Sequence, residues 1–255
     1  MIPPLLANCR PPIQEVPTVP PRKTRRRSFS FPLSSPLQER FSYENPSDQR
    51  ALSKGILYAT IVRSWNLAYP EMAIPEIIMN DAERIFHYRT NPNALADFLE
   101  EHPYIKERLT ILHLSSCKLK ELPQELGLLE NLTDLNVSNN LLEEVNSEII
   151  ASLRNLKMLA LHNNRIKSLS PTLLYPFTRL EILMLHCNEL QSLPLALFHR
   201  SKNLKRLYLH QNPLKIPKGV FIPLKALELL YLPVCRFIPP NREVIIRQFP
   251  STPLI

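Results

Sequence analysis

Between residues 109 and 237 the hydrophobic positions recur as a block. Each row opens on a leucine, carries aliphatic residues at its fourth and sixth positions and an apolar residue at its eleventh, and fills the gaps with polar or small side chains. Six rows follow one another: Leu109 (LTILHLSSCKL), Leu132 (LTDLNVSNNLL), Leu156 (LKMLALHNNRI), Leu180 (LEILMLHCNEL), Leu204 (LKRLYLHQNPL) and Leu227 (LELLYLPVCRF), at offsets of 23, 24, 24, 24 and 23 residues. Alternation at the fourth and sixth positions predicts one short strand per row, with Leu112/Leu114, Leu135/Val137, Leu159/Leu161, Leu183/Leu185, Leu207/Leu209 and Leu230/Leu232 facing a common core. Asn140, Asn164, Asn188 and Asn212 hold the ninth position, where carboxamides can satisfy main-chain groups of adjacent turns as a ladder. Cys117 and Cys235 take that slot in the end rows.

The pattern changes on either side of this block. Over 48–108, apolar residues at mixed three- and four-residue intervals predict three helices, in ALSKGILYATIVRSW, IPEIIMNDAERIFHYR and NALADFLEEH. Pro70, Pro75, Pro92 and Pro103 punctuate them, and Asn91 with Pro92 reads as the N-cap and first-turn proline of the third. An array's first strand presents a bare edge and a raw end of core, so these helices are expected to cap it rather than to form an independent binding module. Residues 1–47 show neither helical nor strand periodicity and are expected to be disordered. After Phe237, the stretch 238–255 offers only Val244 to Ile246 for a C-terminal cap, followed by a loose end.

L-x-x-L-x-L-x-x-N/C-x-L at this period resembles the leucine-rich-repeat family, and six consecutive matches make the signal strong. The outer arc ELPQELGLLENL is similar to the Ras-group repeats, whereas SLPLALFHRSKNL and KIPKGVFIPLKAL are similar to the typical class, with a phenylalanine spine at Phe177, Phe198 and Phe221. The resemblance implies an α/β solenoid: a leucine-rich-repeat horseshoe with a parallel β-sheet on its concave face, behind an N-terminal helical cap and a disordered tail. It covers about half the chain and implies an architecture without specifying a partner.

In such a horseshoe the outward strand positions form two columns on the concave face, the usual binding surface. One runs Ile111, Asp134, Met158, Ile182, Arg206, Leu229; the other runs His113, Asn136, Ala160, Met184, Tyr208, Tyr231. Met158, Ile182, Met184, Arg206, Tyr208, Leu229 and Tyr231 together make an apolar, aromatic and arginine-bearing patch, the composition favoured where proteins bind proteins. The seventh-position column reads Ser115, Ser138, His162, His186, His210, Pro233, and Cys187 adjoins the middle histidine. It is the one metal-like constellation, but successive residues such as His186 and Cys187 point different ways and no carboxylate joins them, so no metal site is expected.

Composition narrows function further. A net charge of +8 suggests acidic partners, yet residues 1–50 hold eight Lys/Arg against four Asp/Glu, so half the excess lies in the tail and no specific nucleic-acid surface is expected. No run of eighteen apolar residues occurs, and MIPPLLANCRPP breaks into proline, so neither a membrane span nor a signal peptide is expected. Four scattered cysteines do not make a disulfide framework; Cys117 and Cys235, five rungs apart at roughly 4.8 Å each, would lie about 24 Å from one another. A cytoplasmic location follows, or a nuclear one. Glycine occurs only at 55, 127 and 219, which excludes a glycine-rich nucleotide loop; no nucleophile–base–orienter set can be assigned, and neither catalysis nor a cofactor is expected.

The tail carries three short motifs. VPTVPPR (16–22) has the spacing of a class II SH3 ligand, with Pro17 and Pro20 for aromatic grooves and Arg22 for an acidic pocket. RRRSFSFP (25–32) places arginines five and three residues before Ser30, and RSFSFP resembles the R-S-x-pS-x-P ligand motif of 14-3-3 proteins; Ser28 and Ser30 are therefore candidate phosphorylation sites, with 14-3-3 capture through phospho-Ser30. RKTRRR (22–27) has nuclear-import character, which a neighbouring phosphate would oppose. The leading expectation is a non-enzymatic scaffold or adaptor that binds a protein on its concave face. A non-catalytic regulatory subunit of a phosphatase, GTPase or ubiquitin-ligase complex is the alternative. An extracellular chain is a third reading, for which Asn131-Leu132-Thr133 and Asn136-Val137-Ser138 supply acceptor sequons.

Overall fold

The computed structural model of the protein describes residues 45–74 and 81–232. Pro17, Pro20, Arg22, Ser28, Ser30, Pro75, Pro233, Cys235 and the segment 238–255 lie outside the described residues.

Each row of the array folds as one coil. Its fourth position centres a three-residue strand: β1 (Ile111–His113), β2 (Asp134–Asn136), β3 (Met158–Ala160), β4 (Ile182–Met184), β5 (Arg206–Tyr208) and β6 (Leu229–Tyr231). They pair parallel in chain order, β1-β2-β3-β4-β5-β6, and the register keeps like positions opposite: Leu112, Leu135, Leu159, Leu183, Leu207 and Leu230 stand side by side. All six are 0–1% exposed. Because consecutive offsets differ by no more than one residue, each coil returns to the same point and the sheet needs no register shift.

The ninth-position asparagines tie each coil to the one before it. Asn164 Oδ1 accepts from Leu142 N–H at 3.1 Å, while its Nδ2 donates to Val137 O and Leu161 O at 3.0 Å each and to His162 O at 3.4 Å. Asn188 and Asn212 repeat this set one and two coils later. Asn140 accepts from both Cys117 N–H and Leu119 N–H, at 2.9 and 3.0 Å. The preceding residue takes a left-handed backbone in every such turn: Asn139, Asn163, Cys187 and Gln211 have φ of 54–56°.

The outer arcs are short and unequal. The first is a 3-10 turn (Gln124–Leu128), the second holds the one-turn helix α5 (Ser147–Ile150), and the later ones are turns. Phe177, Phe198 and Phe221 are buried in them, each 0–1% exposed, with the Phe198 and Phe221 rings tilted at 5.9 Å. Gly127 sits where two arcs touch: a Cβ there would lie 2.7 Å from Ile149 O.

Four helices precede the sheet: α1 (Pro46–Ala68), α2 (Asp81–Thr90), α3 (Ala94–Glu101) and α4 (Pro103–Arg108). Helix α1 starts two residues before the compositional change at Asp48, capped by Asn45, whose Oδ1 accepts from Ser47 N–H at 3.0 Å. Two local expectations are corrected. Asn93 rather than Asn91 precedes α3, with Pro92 in the turn before it, and Pro103 opens a fourth helix instead of ending the third. The second follows from proline's tolerance of a first turn, which marks a start as readily as a stop. Leu57, Ile61, Val62, Trp65, Leu95, Leu99 and Ile105 pack into one core with Leu109, Leu112 and Leu114, so the helices cover the raw end of the array. Trp65 anchors the junction, stacked on Tyr69 at 4.3 Å and donating from Nε1 to Met72 O at 3.0 Å. Helices α1 and α2 approach closely at Gly55, where a Cβ would come within 2.8 Å of the Arg84 side chain.

Candidate protein-binding face

Strand alternation sends odd positions out of the sheet, and the register turns them into continuous columns. Met158, Ile182, Arg206 and Leu229 are consecutive partners in one column; Ala160, Met184, Tyr208 and Tyr231 are consecutive in the next. The seven patch residues therefore share one face of β3–β6. Arg206 is exposed and the other six are half-buried, which is the accessibility expected of a tightly ranked but uncovered surface. Tyr208 and Tyr231 lie nearly parallel, 26° apart with centroids at 6.2 Å. Ala160 is buried, leaving a shallow step in row three beside Met184.

In the second row the same face is polar, whereas the first row presents the exposed Ile111. Asp134 accepts from Thr133 Oγ1 at 2.6 Å, and Asn136 Oδ1 accepts from Ser138 N–H and Oγ at 3.0 and 2.7 Å. Asn131 spends its Nδ2 on Lys106 O at 3.1 Å. Both sequon asparagines thus serve internal contacts.

The seventh-position histidines border the tyrosines more intimately than sequence reasoning allowed. His162, His186 and His210 stack face to face at 4.4 Å per step, 10–12° from parallel, and His210 lies 4.5 Å from the Tyr231 ring. Each Nδ1 is buried with no hydrogen-bond partner. A buried ring nitrogen without an acceptor disfavours the proton, so burial lowers the pKa of all three; for His186, flanked by two imidazoles whose charges would add, it falls to about 4. The column is therefore neutral at physiological pH. The missed signal was simple: fifth and seventh positions lie on the same side of an extended chain, so the histidine and tyrosine columns had to be neighbours.

The histidines do not converge with Cys187. Its left-handed φ of 54° turns the residue away, and its thiol donates instead to Gln211 Oε1. Burial pushes the Cys117 and Cys187 thiols up from their ordinary values. No group of three or more His, Cys, Asp or Glu placed to hold a metal occurs among the described residues. No helix among them is long and apolar enough to cross a membrane.

A family model described as leucine rich repeat matches residues 107–166, 130–181 and 178–237, together just over half the chain. Among solved structures, the chain is similar to a leucine-rich-repeat protein of Leptospira interrogans, at 31% identity and a TM-score of 0.49, over 54% of this chain and 34% of that one. It is also similar to a structure of the Toll–Spätzle complex of Drosophila, at 22% identity and a TM-score of 0.47, over 57% of this chain and 21% of that one. The chain thus spans about a third and a fifth of the lengths of these two proteins.

Proposed function

This chain belongs to the leucine-rich-repeat family, and on that premise we propose that it is a non-enzymatic scaffold or adaptor whose concave face over rows three to six binds a protein partner. Family members generally serve protein–protein interaction, and the observation that carries the reading here is the register of β3–β6. It holds Met158, Ile182, Met184, Arg206, Tyr208, Leu229 and Tyr231 on one face, two aromatic rings and one exposed cation amid aliphatic surface. Aromatic and arginine side chains in a rigid apolar setting are the residue types that dominate binding energy at interfaces. A partner suited to this face has an apolar segment with a carboxylate for Arg206, and acceptors for the neutral imidazoles beside it.

The test is a paired affinity capture with the parent chain and Met184→Asp combined with Tyr208→Ala. Both side chains are half-buried and outside the leucine core, so the circular dichroism of the variant stays near the parent's, with Tm lowered by the lost contacts of Tyr208 with His186 and Tyr231. Loss of specific partners at unchanged folding supports the reading; an identical partner set overturns it.

The tail adds regulation in this proposal. RSFSFP supports phosphate-dependent 14-3-3 binding at phospho-Ser30, with Ser28 as a second acceptor, and Pro17, Pro20 and Arg22 support an SH3 contact. Ser30→Ala is expected to abolish phosphatase-sensitive retention on immobilised 14-3-3; equal retention of mutant and parent rejects that part and leaves the concave-face reading intact.

A further inference from the structure

The edge at which the chain enters strands β3–β6 carries a charge that the apolar face beside it lacks. Rows three to six place Arg154, Arg179, Lys202 and Lys225 within the two residues ahead of the opening leucine, and Lys157 and Lys205 at the second position. Main-chain bonds set the second positions side by side: Glu181 N–H donates to Lys157 O, Lys205 N–H to Glu181 O and Glu228 N–H to Lys205 O, each at 2.8 Å. Side chains tie the residues ahead of the leucines in the same way. Asn155 Nδ2 donates to Glu130 O, Arg179 Nη1 to Asn155 Oδ1 and Asn203 Nδ2 to Thr178 O, at 3.3, 3.0 and 2.8 Å.

With Arg206 of the adjoining third-position column, this edge of rows three to six holds seven cations against two carboxylates, Glu181 and Glu228. Both carboxylates act on the same lysine. Glu181 Oε2 meets Lys205 Nζ at 2.7 Å, and the Lys205 pKa is raised first by that hydrogen bond, then by the Glu181 charge and to a smaller extent by Glu228. Arg154, Lys157, Arg179, Lys202, Arg206 and Lys225 are all exposed and form no ion pair among the described residues.

We infer that this edge is the rim of the proposed binding face and that the partner lays an acidic polypeptide segment along it, carboxylates toward the cations and apolar side chains toward Met158, Ile182 and Leu229. The inference rests on the concave-face reading and adds the chemistry of the partner. A charged rim beside an apolar centre is the usual anatomy of a protein–protein contact. Three rung steps at roughly 4.8 Å span about 14 Å, which about four residues of extended chain cover. A single-stranded nucleic acid is suited instead to aromatic faces ranked among the cations. Here the residues next to the cations are aliphatic, and the tyrosines stand one column further along the strands.

Fluorescence anisotropy of dye-labelled octaglutamate titrated with the full chain tests the inference. Saturable binding is expected, weakening as the Debye length shrinks from about 30 Å at 0.01 M salt to about 8 Å at 0.15 M. Arg154→Glu, Lys202→Glu and Lys225→Glu combined should weaken it by at least about tenfold. Arg165→Glu, Lys215→Glu and Lys218→Glu combined change the net charge equally but lie past the other end of the strands, and should cost less than about threefold. All six side chains are exposed, so both variants keep the parent's circular dichroism, and the RKTRRR segment is common to both. Octaglutamate has no apolar side chain, so Met184→Asp with Tyr208→Ala should leave its affinity within about threefold; failure of the concave-face reading and failure of this one are thus read on different variants. Absence of saturable binding, equal losses in the two triple variants, or tighter binding of octathymidylate than of octaglutamate overturns the inference.

Discussion

Replacing Asn164 by alanine isolates what a single rung of the asparagine ladder contributes. The side chain is 8% exposed and makes four contacts, three donated to carbonyls and one accepted from Leu142 N–H. The carbonyls keep other donors: Val137 O is also reached by Asn140 Nδ2, Leu161 O by Asn188 Nδ2 and His162 O by Asn139 N–H. Leu142 N–H loses its only partner. One orphaned buried donor costs about 1–3 kcal/mol, and the weakened carbonyl contacts add roughly 1 more, so a total near 2–4 kcal/mol is expected. Urea unfolding followed by far-ultraviolet circular dichroism reads this directly: at an m-value of about 2 kcal/mol/M, the midpoint falls by roughly 1–2 M with the slope unchanged. Asn164→Asp separates the acceptor from the donor. A carboxylate can still receive Leu142 N–H but turns its second oxygen on carbonyls 3.0 Å away, so at pH 7 it should cost at least as much as alanine. An alanine variant within about 0.5 kcal/mol of the parent, or an aspartate variant more stable than alanine, would refute the assignment of the ladder as the tie between coils.

Three other outcomes follow from the same structure. The histidine pKa values are lowered in the folded state, so the unfolded chain binds more protons: stability is full above pH 6.5 and falls as pH drops toward about 4. Tm should decline between pH 7 and 5, and His186→Phe should flatten that slope; an unaltered slope rules the column out as its source. Leu183→Ala, at a position 1% exposed in the middle rung, should cost roughly 2–5 kcal/mol in urea unfolding, whereas Ile182→Ala, half-buried on the concave face, should cost distinctly less. Lys54 Nζ meets Glu125 Oε1 at 2.6 Å with side chains 20% and 11% exposed, and Glu125 Oε2 has no partner. Lys54→Ala should therefore lose about 3 kcal/mol by stranding the carboxylate, and adding Glu125→Gln should recover part of it in a thermal melt.

Much of the array was legible because a solenoid makes the physics nearly one-dimensional. A residue's neighbours lie one period away, so spacing alone assigned Leu183 to the core, Asn188 to the ladder and Met184 and Tyr208 to one column. The helical segment has no such period. There, Pro92 and Pro103 were compatible with either end of a helix; Pro92 lies in the turn before α3 and Pro103 opens α4. The burial of Ala160, the contact of His210 with Tyr231 and the left-handed turn at Lys118 likewise depend on side-chain packing across coils.

By itself, then, the sequence determined the coil, its rung spacing, the inward leucines and the asparagine positions, since each of these repeats and so is written several times over. Only the tertiary structure decided how α1 closes the first rung, and which of its apolar residues enter the core fully while Leu52 and Ile56 pack at its margin. Those features arise once, where a non-repeating helix meets the array, and depend on contacts between residues more than fifty positions apart in the chain, such as the ion pair of Lys54 with Glu125.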